Sequence, residues 1–261
     1  MSESQQSIIY RRSGAVAHIQ FNRPQALNAI DAAMAAGFLA ICRDIDVDRS
    51  VRAVLLSGAG RAFMAGGDVA SFRDDRGAIA SSIIDPMHEA LQLLTGQPAP
   101  VLACVQGAVA GAGLSMALAA DLVIAAEGTK FSFAYAALGV SGDLGVSWSL
   151  PRAVGLRNAL EIALLPDGID VARARELGLV NRVVAAEALM DEAQALAARL
   201  AAGPTFAYGE IRRLMRQSHA QGFRDQLAAE REAFVACTAT RDFSGAVAAF
   251  LDKRKAEFQG C

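Results

Sequence analysis

Residues 101–126 read VLACVQGAVAGAGLSMALAADLVIAA. The opening VLACV is apolar and short enough for a buried strand, and Pro98 and Pro100 just before it stop the preceding segment. Gly107, Gly111 and Gly113 punctuate the next stretch, and the small and apolar residues near 112–120 then carry a helix. DLVIAA (121–126) is a second short buried strand. Strand, glycine-rich loop, helix and strand in that order make a crossover unit. Such units place the chain among mixed α/β folds.

The same alternation extends upstream. VRAVLLSG (51–58) reads as a buried strand running into a second glycine-rich loop, GAGRAFMAGGD, and residues 81–95 form a helix. Residues 8–22 (IIYRRSGAVAHIQFN) alternate about Ser13 and Gly14 as a β-hairpin. NRPQALNAID comes next as a turn, and Asp31 can cap a helix through Met34, Phe38, Leu39 and Ile41. Downstream, TKFSFAY (129–135) is extended. From about residue 186, Ala, Leu, Arg and Glu keep a helical period almost to the end, broken at Gly203-Pro204 and near 220. The expectation is an α/β core over residues 1–200 and a helical part over 201–261.

Composition excludes several classes. With 53% hydrophobic residues in 261, the chain has apolar surface enough for a large core, so disorder is not its main state. The balance of 25 basic and 27 acidic residues, scattered, leaves no nucleic-acid footprint. The longest apolar run, around Ala108 to Ala120, is interrupted by Gly and Ser and is shorter than the roughly 20 residues of a membrane span. MSESQQS at the amino terminus has no signal-peptide pattern. Cys42, Cys104, Cys237 and Cys261 lie far apart without a CxxC, which suits a reducing cytoplasm rather than a disulfide framework. His18, His88 and His219 make no metal-ligand spacing, so no metal is expected.

The two glycine-rich loops carry the chemistry. Ala65-Gly66-Gly67-Asp68 comes after one strand, and Gly107 to Gly113 comes after another and opens a helix. Small residues let a ligand approach the backbone, and free N–H groups there favour developing negative charge. Two such donors on one oxygen would be an oxyanion hole, whose natural client is a thioester carbonyl becoming an enolate. Read singly, each loop is equally a pair of tight turns. The run GxxxGxG lacks the GxGxxG spacing of a dinucleotide fingerprint and comes only after about 100 residues of chain.

Together with FNRPQALNAI (21–30), GRAFMAGGDV (60–69), VQGAVAGAG (105–113), AADLVIAAEGTKF (119–131), LPRAVGLRNALEIAL (150–164), ARELGLVNRVV (174–184) and AAFLDKRKAEF (248–258), these loops resemble the crotonase, or enoyl-CoA hydratase/isomerase, superfamily. The resemblance covers nearly the whole chain. It implies a ClpP-like spiral of ββα units with a helical C-terminal trimerisation region, a homotrimer or dimer of trimers, and an acyl-CoA substrate that itself supplies the coenzyme A. The implied oxyanion donors are the N–H groups of Gly67 and Ala112. Implied CoA contacts are Gln25, Ala26, Leu27, Ala65, Asp68 and Val69, with Phe234 and Lys253 reaching the nucleotide end from a neighbouring subunit. Read without the family, Phe234 is equally a helix-packing residue and Lys253 a solvated charge.

Hydratases of this family use two glutamates, and here Ser115 and Tyr135 stand at the matching positions. Neither side chain is a carboxylate base near neutral pH. Asp143, in LGVSGDLGVSW, matches the working aspartate of ring-1,2-epoxyphenylacetyl-CoA isomerases, related enoyl-CoA isomerases and dienoyl-CoA isomerases. In 4-chlorobenzoyl-CoA dehalogenases that position is a nucleophile, His88 matches the histidine that activates water, and Tyr135 falls where a Trp touches the nucleophile or ring. Standing alone, Asp143 is also a fair turn residue and His88 an ordinary side chain of an amphipathic helix. The leading expectation is an isomerase with Asp143 as its single acid/base. Dehalogenase-like chemistry and a non-catalytic acyl-CoA-binding relative are the alternatives. Tyr135, with Phe133, Trp148 and Phe63, is a candidate wall for the acyl pocket, and Trp148 is otherwise a core residue.

Overall fold

A computed structural model describes residues 6–70, 77, 79–165 and 167–261. Residues 1–5 of the polar amino-terminal stretch lie outside them. The expected hairpin is β1 (Ile8–Ser13) against β2 (Val16–Phe21), antiparallel, with Gly14 at φ +57° in the turn. The Asp31 carboxylate accepts from Met34 N–H at 2.8 Å and starts α1 (Ala32–Val47). Next come β3 (Ala53–Gly58), α2 (Asp85–Gly96), β4 (Val101–Val105), β5 (Ala108–Ala110) and α3 (Ala112–Ala119). They lead to β6 (Leu122–Ala126), β7 (Lys130–Ser132), α4 (Val146–Val154), α5 (Leu156–Leu164), β8 (Ile169–Asp170), α6 (Val171–Glu176) and β9 (Arg182–Val184). The chain closes on α7 (Leu189–Ala201), α8 (Thr205–Gln217), α9 (Phe223–Thr238) and α10 (Arg241–Leu251).

Six strands form the main sheet in the order β1-β2-β3-β4-β6-β9, parallel beyond the hairpin. β3 and β4 are buried along their whole length because both faces are covered. Val54, Leu56, Ala103 and Val105 face the larger core beneath α1, α2 and α3. Their neighbours Leu55, Leu102 and Cys104 face Ala193, Ala197 and Ala201 of α7. Phe21, Phe38 and Phe63 are fully buried, with ring centroids 5.7 Å and 5.9 Å from Phe21. Burying each such ring contributes about 1.5–3 kcal/mol. Burial also pushes the Cys42 and Cys104 thiols up to about 12, so both stay protonated and inert near neutral pH.

A second, three-stranded sheet, β5-β7-β8, stands apart from the first. The extended reading of 129–135 therefore holds only for Lys130–Ser132. Ala134 at φ +57° turns the chain, and Ala136–Leu138 is a single 3-10 turn. α8 is fastened by charge: Arg212 and Arg216 reach Asp121 at 2.6 Å and 2.9 Å, while Asp121 also accepts from Val101 N–H at 2.7 Å. Asp121 thus ends the α3 segment, anchors the start of β4 and holds α8 against both. No described helix is long and apolar enough to cross a membrane. Among the described residues, no cluster of His, Cys, Asp or Glu is placed to hold a metal ion.

Candidate active site

The first glycine-rich loop is laid along β5 by backbone hydrogen bonds. Met64 N–H donates to Ala108 O (3.2 Å), Ala110 N–H to Met64 O (2.9 Å) and Phe63 N–H to Gln106 O (2.7 Å). This pairing brings Gly66 against Gly111, so close that a Cβ on Gly111 would lie 3.5 Å from Gly66 Cα. Gly66 and Gly111 hold φ of +121° and +52°, values that favour glycine. Just beyond each sits one of the expected donors, Gly67 and Ala112. Ala112 is the first residue of α3, where the N–H has no helical acceptor. Among the described residues neither N–H has a partner, and both residues line one cavity of about 370 Å³.

Two residues outside the expected site set fix this arrangement. Asn28, fully buried at φ +59°, donates through Nδ2 to the carbonyls of Ala59 (2.9 Å), Ala62 (2.9 Å) and Phe63 (3.1 Å). Its Oδ1 accepts from Arg23 N–H at 2.8 Å. The Arg23 guanidinium bridges Asp31 (3.1 Å) and Asp68 (2.8 Å), tying the turn after β2 to the cap of α1 and to the first glycine-rich loop. Asn28→Ala leaves three carbonyls, two of them buried, short of a donor and is expected to cost about 2–4 kcal/mol. Urea unfolding of the two proteins measures this, and an unchanged midpoint would remove Asn28 from that role.

The expected CoA-contact residues divide. Ala65 and Val69 line the cavity, and Leu27 adjoins it by accepting from Ala65 N–H at 3.0 Å. Gln25 and Ala26 lie in the 3-10 turn Pro24–Ala26, with Gln25 exposed. The Asp68 carboxylate is taken by Arg23, and its N–H donates to Ile30 O. Phe234 on α9 and Lys253 after α10 are exposed and do not line the cavity of their own chain.

The same cavity is lined by Asp143, among the described residues its only carboxylate. Its loop is tightly held. Ser115 Oγ donates to the Asp143 carbonyl at 2.9 Å, with Val146 N–H at 3.2 Å and Tyr135 Oη at 3.3 Å on the same oxygen. Tyr135 and Ser115 hydroxyls are also 2.9 Å apart. Burial first, and the neighbouring Asp143 charge, push the Tyr135 phenol up to about 12, so it remains a neutral donor. The next residue, Leu144, is buried and sits at φ +53°, a left-handed conformation that costs a non-glycine residue energy. The carboxylate is thereby presented at a fixed place. Asp143 Oδ1 lies 2.7 Å from His88 Nε2, which projects from α2 and is half exposed.

The apolar wall of the cavity is built from Ile83 and Ile84 in the wide turn before α2, together with Leu138 and Val140. Tyr135 lines the cavity, whereas the other three aromatic candidates do not. Phe63 is committed to the core against Phe21, and Phe133 packs edge-on to Tyr135 at 5.1 Å. Trp148 is neither wall nor core. Val146, Leu150 and Val154 occupy the buried face of α4, so Trp148 emerges at 44% exposure with Arg152 stacked 4.1 Å over its ring.

Comparison with known proteins gives the family. The family model for enoyl-CoA hydratase/isomerase matches residues 11–261. The chain belongs to that family. It is 35% identical to the 1,2-epoxyphenylacetyl-CoA isomerase of Escherichia coli (strain K12), over 93% of this chain and 94% of the relative. It is also 30% identical to the short-chain-enoyl-CoA hydratase of Clostridium acetobutylicum, over 96% and 97%. The crystal structure of an enoyl-CoA hydratase from Polaromonas sp. JS666 superposes with a TM-score of 0.90 at 31% identity, covering 97% of this chain and 99% of that one. This enoyl-CoA hydratase/isomerase family member is therefore an acyl-CoA enzyme with the α/β fold and C-terminal helices that the family resemblance implied.

Proposed function

We propose that this enzyme is an enoyl-CoA-type isomerase with Asp143 as its one acid/base. The thioester oxygen lies on the N–H groups of Gly67 and Ala112. Asp143 takes a proton α or γ to the carbonyl, the electron pair moves to the enolate oxygen, and Asp143 returns the proton to another carbon. The observation that carries this reading is the single described carboxylate at the cavity, beside hydroxyls that are occupied in holding its loop. One base suffices for a proton shift, whereas hydration adds both a proton and a hydroxide. Purified protein is expected to isomerise a 3-enoyl-CoA and to leave crotonyl-CoA unhydrated. Hydration of crotonyl-CoA at a comparable rate would overturn the assignment.

A second reading rests on the 2.7 Å contact between His88 and Asp143. In it Asp143 attacks an aryl-CoA ring and His88 activates the water that frees the product. Chloride release from 4-chlorobenzoyl-CoA, lost in His88→Ala, would establish that reading instead. Both readings include a homotrimer or dimer of trimers. Phe223, Phe250 and Leu251 stand 79%, 83% and 73% exposed on the last two helices, apolar area of the kind that subunit contacts cover.

A further inference from the structure

Asp143 and His88 sit at the partition between two spaces. Asp143 lines the 370 Å³ cavity that holds the oxyanion donors. His88 lines a separate groove of about 790 Å³ between α2, α4 and α8, whose polar edge includes Gln92, Thr95 and Arg213. Leu144, next to Asp143 in the chain, lines both. Burial differs within the pair in the same sense: the His88 side chain is 46% exposed and that of Asp143 31%. Among the described residues, His88 has no hydrogen-bond partner besides Asp143, so its Nδ1 is unbonded.

We propose that His88 is a proton relay, connecting Asp143 to water in the groove while acyl-CoA fills the cavity. This rests on Asp143 being the base. After Asp143 has taken a substrate proton, the carboxylic acid passes it to Nε2 of the neutral imidazole as the Nδ1 proton leaves to water. Asp143 returns to carboxylate and the imidazole stays neutral, so proton and charge balance. The reverse brings a solvent proton to Asp143, which can deliver it to the substrate carbon. A carboxylate closed off behind bound acyl-CoA would instead return the proton that it took. The relay therefore determines whether the migrating hydrogen belongs to the substrate or to the solvent.

Two measurements in D2O test this on the intact protein. NMR follows exchange of the α-protons of butyryl-CoA, which needs enolisation but no double-bond shift. Mass spectrometry follows deuterium entering the product of 3-enoyl-CoA isomerisation. Wild type is expected to exchange and to incorporate solvent deuterium. His88→Gln, which keeps a hydrogen-bonding group at this place but cannot take up and release a proton, is expected to slow exchange on the order of tenfold more than it slows isomerisation. Its product is expected to retain the substrate's own hydrogen. Equal incorporation by wild type and His88→Gln, or no exchange by wild type, overturns the relay even where isomerisation is fast. Exchange that depends on His88 in a protein that does not isomerise upholds the relay and overturns the isomerase reading.

Discussion

Asp143→Asn is expected to lower kcat for 3-enoyl-CoA isomerisation about 10³-fold, the usual range for losing a general acid–base group. The reason to expect a clean result is that the side chain of Asp143 does not hold its own loop. That work falls to its backbone carbonyl, which accepts from Ser115 Oγ, Tyr135 Oη and Val146 N–H. Asparagine keeps the carbonyl, nearly the same volume and a group that can hydrogen-bond to His88. It lacks only the proton affinity of a carboxylate. The melting temperature should therefore move by no more than about 2 °C, the scale of a change well under 1 kcal/mol. KM for the substrate should change less than about threefold, because the oxyanion donors and the Ile83–Ile84 wall are untouched. A variant with full isomerase activity would place the acid/base elsewhere and end the proposed mechanism.

The clean interpretation of that variant depends on contacts of very different legibility. The hairpin, the Asp31 cap, β4, α3 and β6 are readable because their signals are local: apolar period, glycine breaks and a side-chain cap. β5, β7 and β8 are not, since strands of two or three residues carry no period and exist only by pairing with distant segments. Asn28 shows the same limit. Its αL turn is a local property that asparagine tolerates, but its three acceptors lie more than 30 residues away in sequence. Trp148 is a different case, because the spacing of Val146, Leu150 and Val154 already assigns the buried face of α4 and leaves Trp148 off it. For His88, the α2 period places Met87, Ala90, Leu91 and Leu94 inside and His88 beside that face. Nothing local says that a loop 55 residues on would meet it at 2.7 Å.

Gly113→Ala is expected to lower kcat about 10²–10³-fold, the cost of misplacing one oxyanion donor. The substitution adds one methyl group to a helix, where alanine is ordinarily favoured over glycine by about 1 kcal/mol. Here the steric term wins. A Cβ at this position would lie 2.1 Å from Met64 O and 2.9 Å from Met64 C, and those are backbone atoms that cannot rotate away. The only relief is separation of α3 from the first glycine-rich loop. Met64 is the residue that β5 holds through Ala110 N–H, and Ala112, next to the substitution, carries the second proposed donor. Separation therefore pulls the two N–H groups off a common oxygen, and overpacking adds a stability loss of about 1–3 kcal/mol. Gly96→Ala is the control, because a Cβ there meets nothing within 4 Å at the exposed end of α2. Steady-state kinetics and urea unfolding of both variants separate the effects. Loss of stability in Gly113→Ala with full kcat retained would mean that the enolate oxygen does not rest between Gly67 and Ala112.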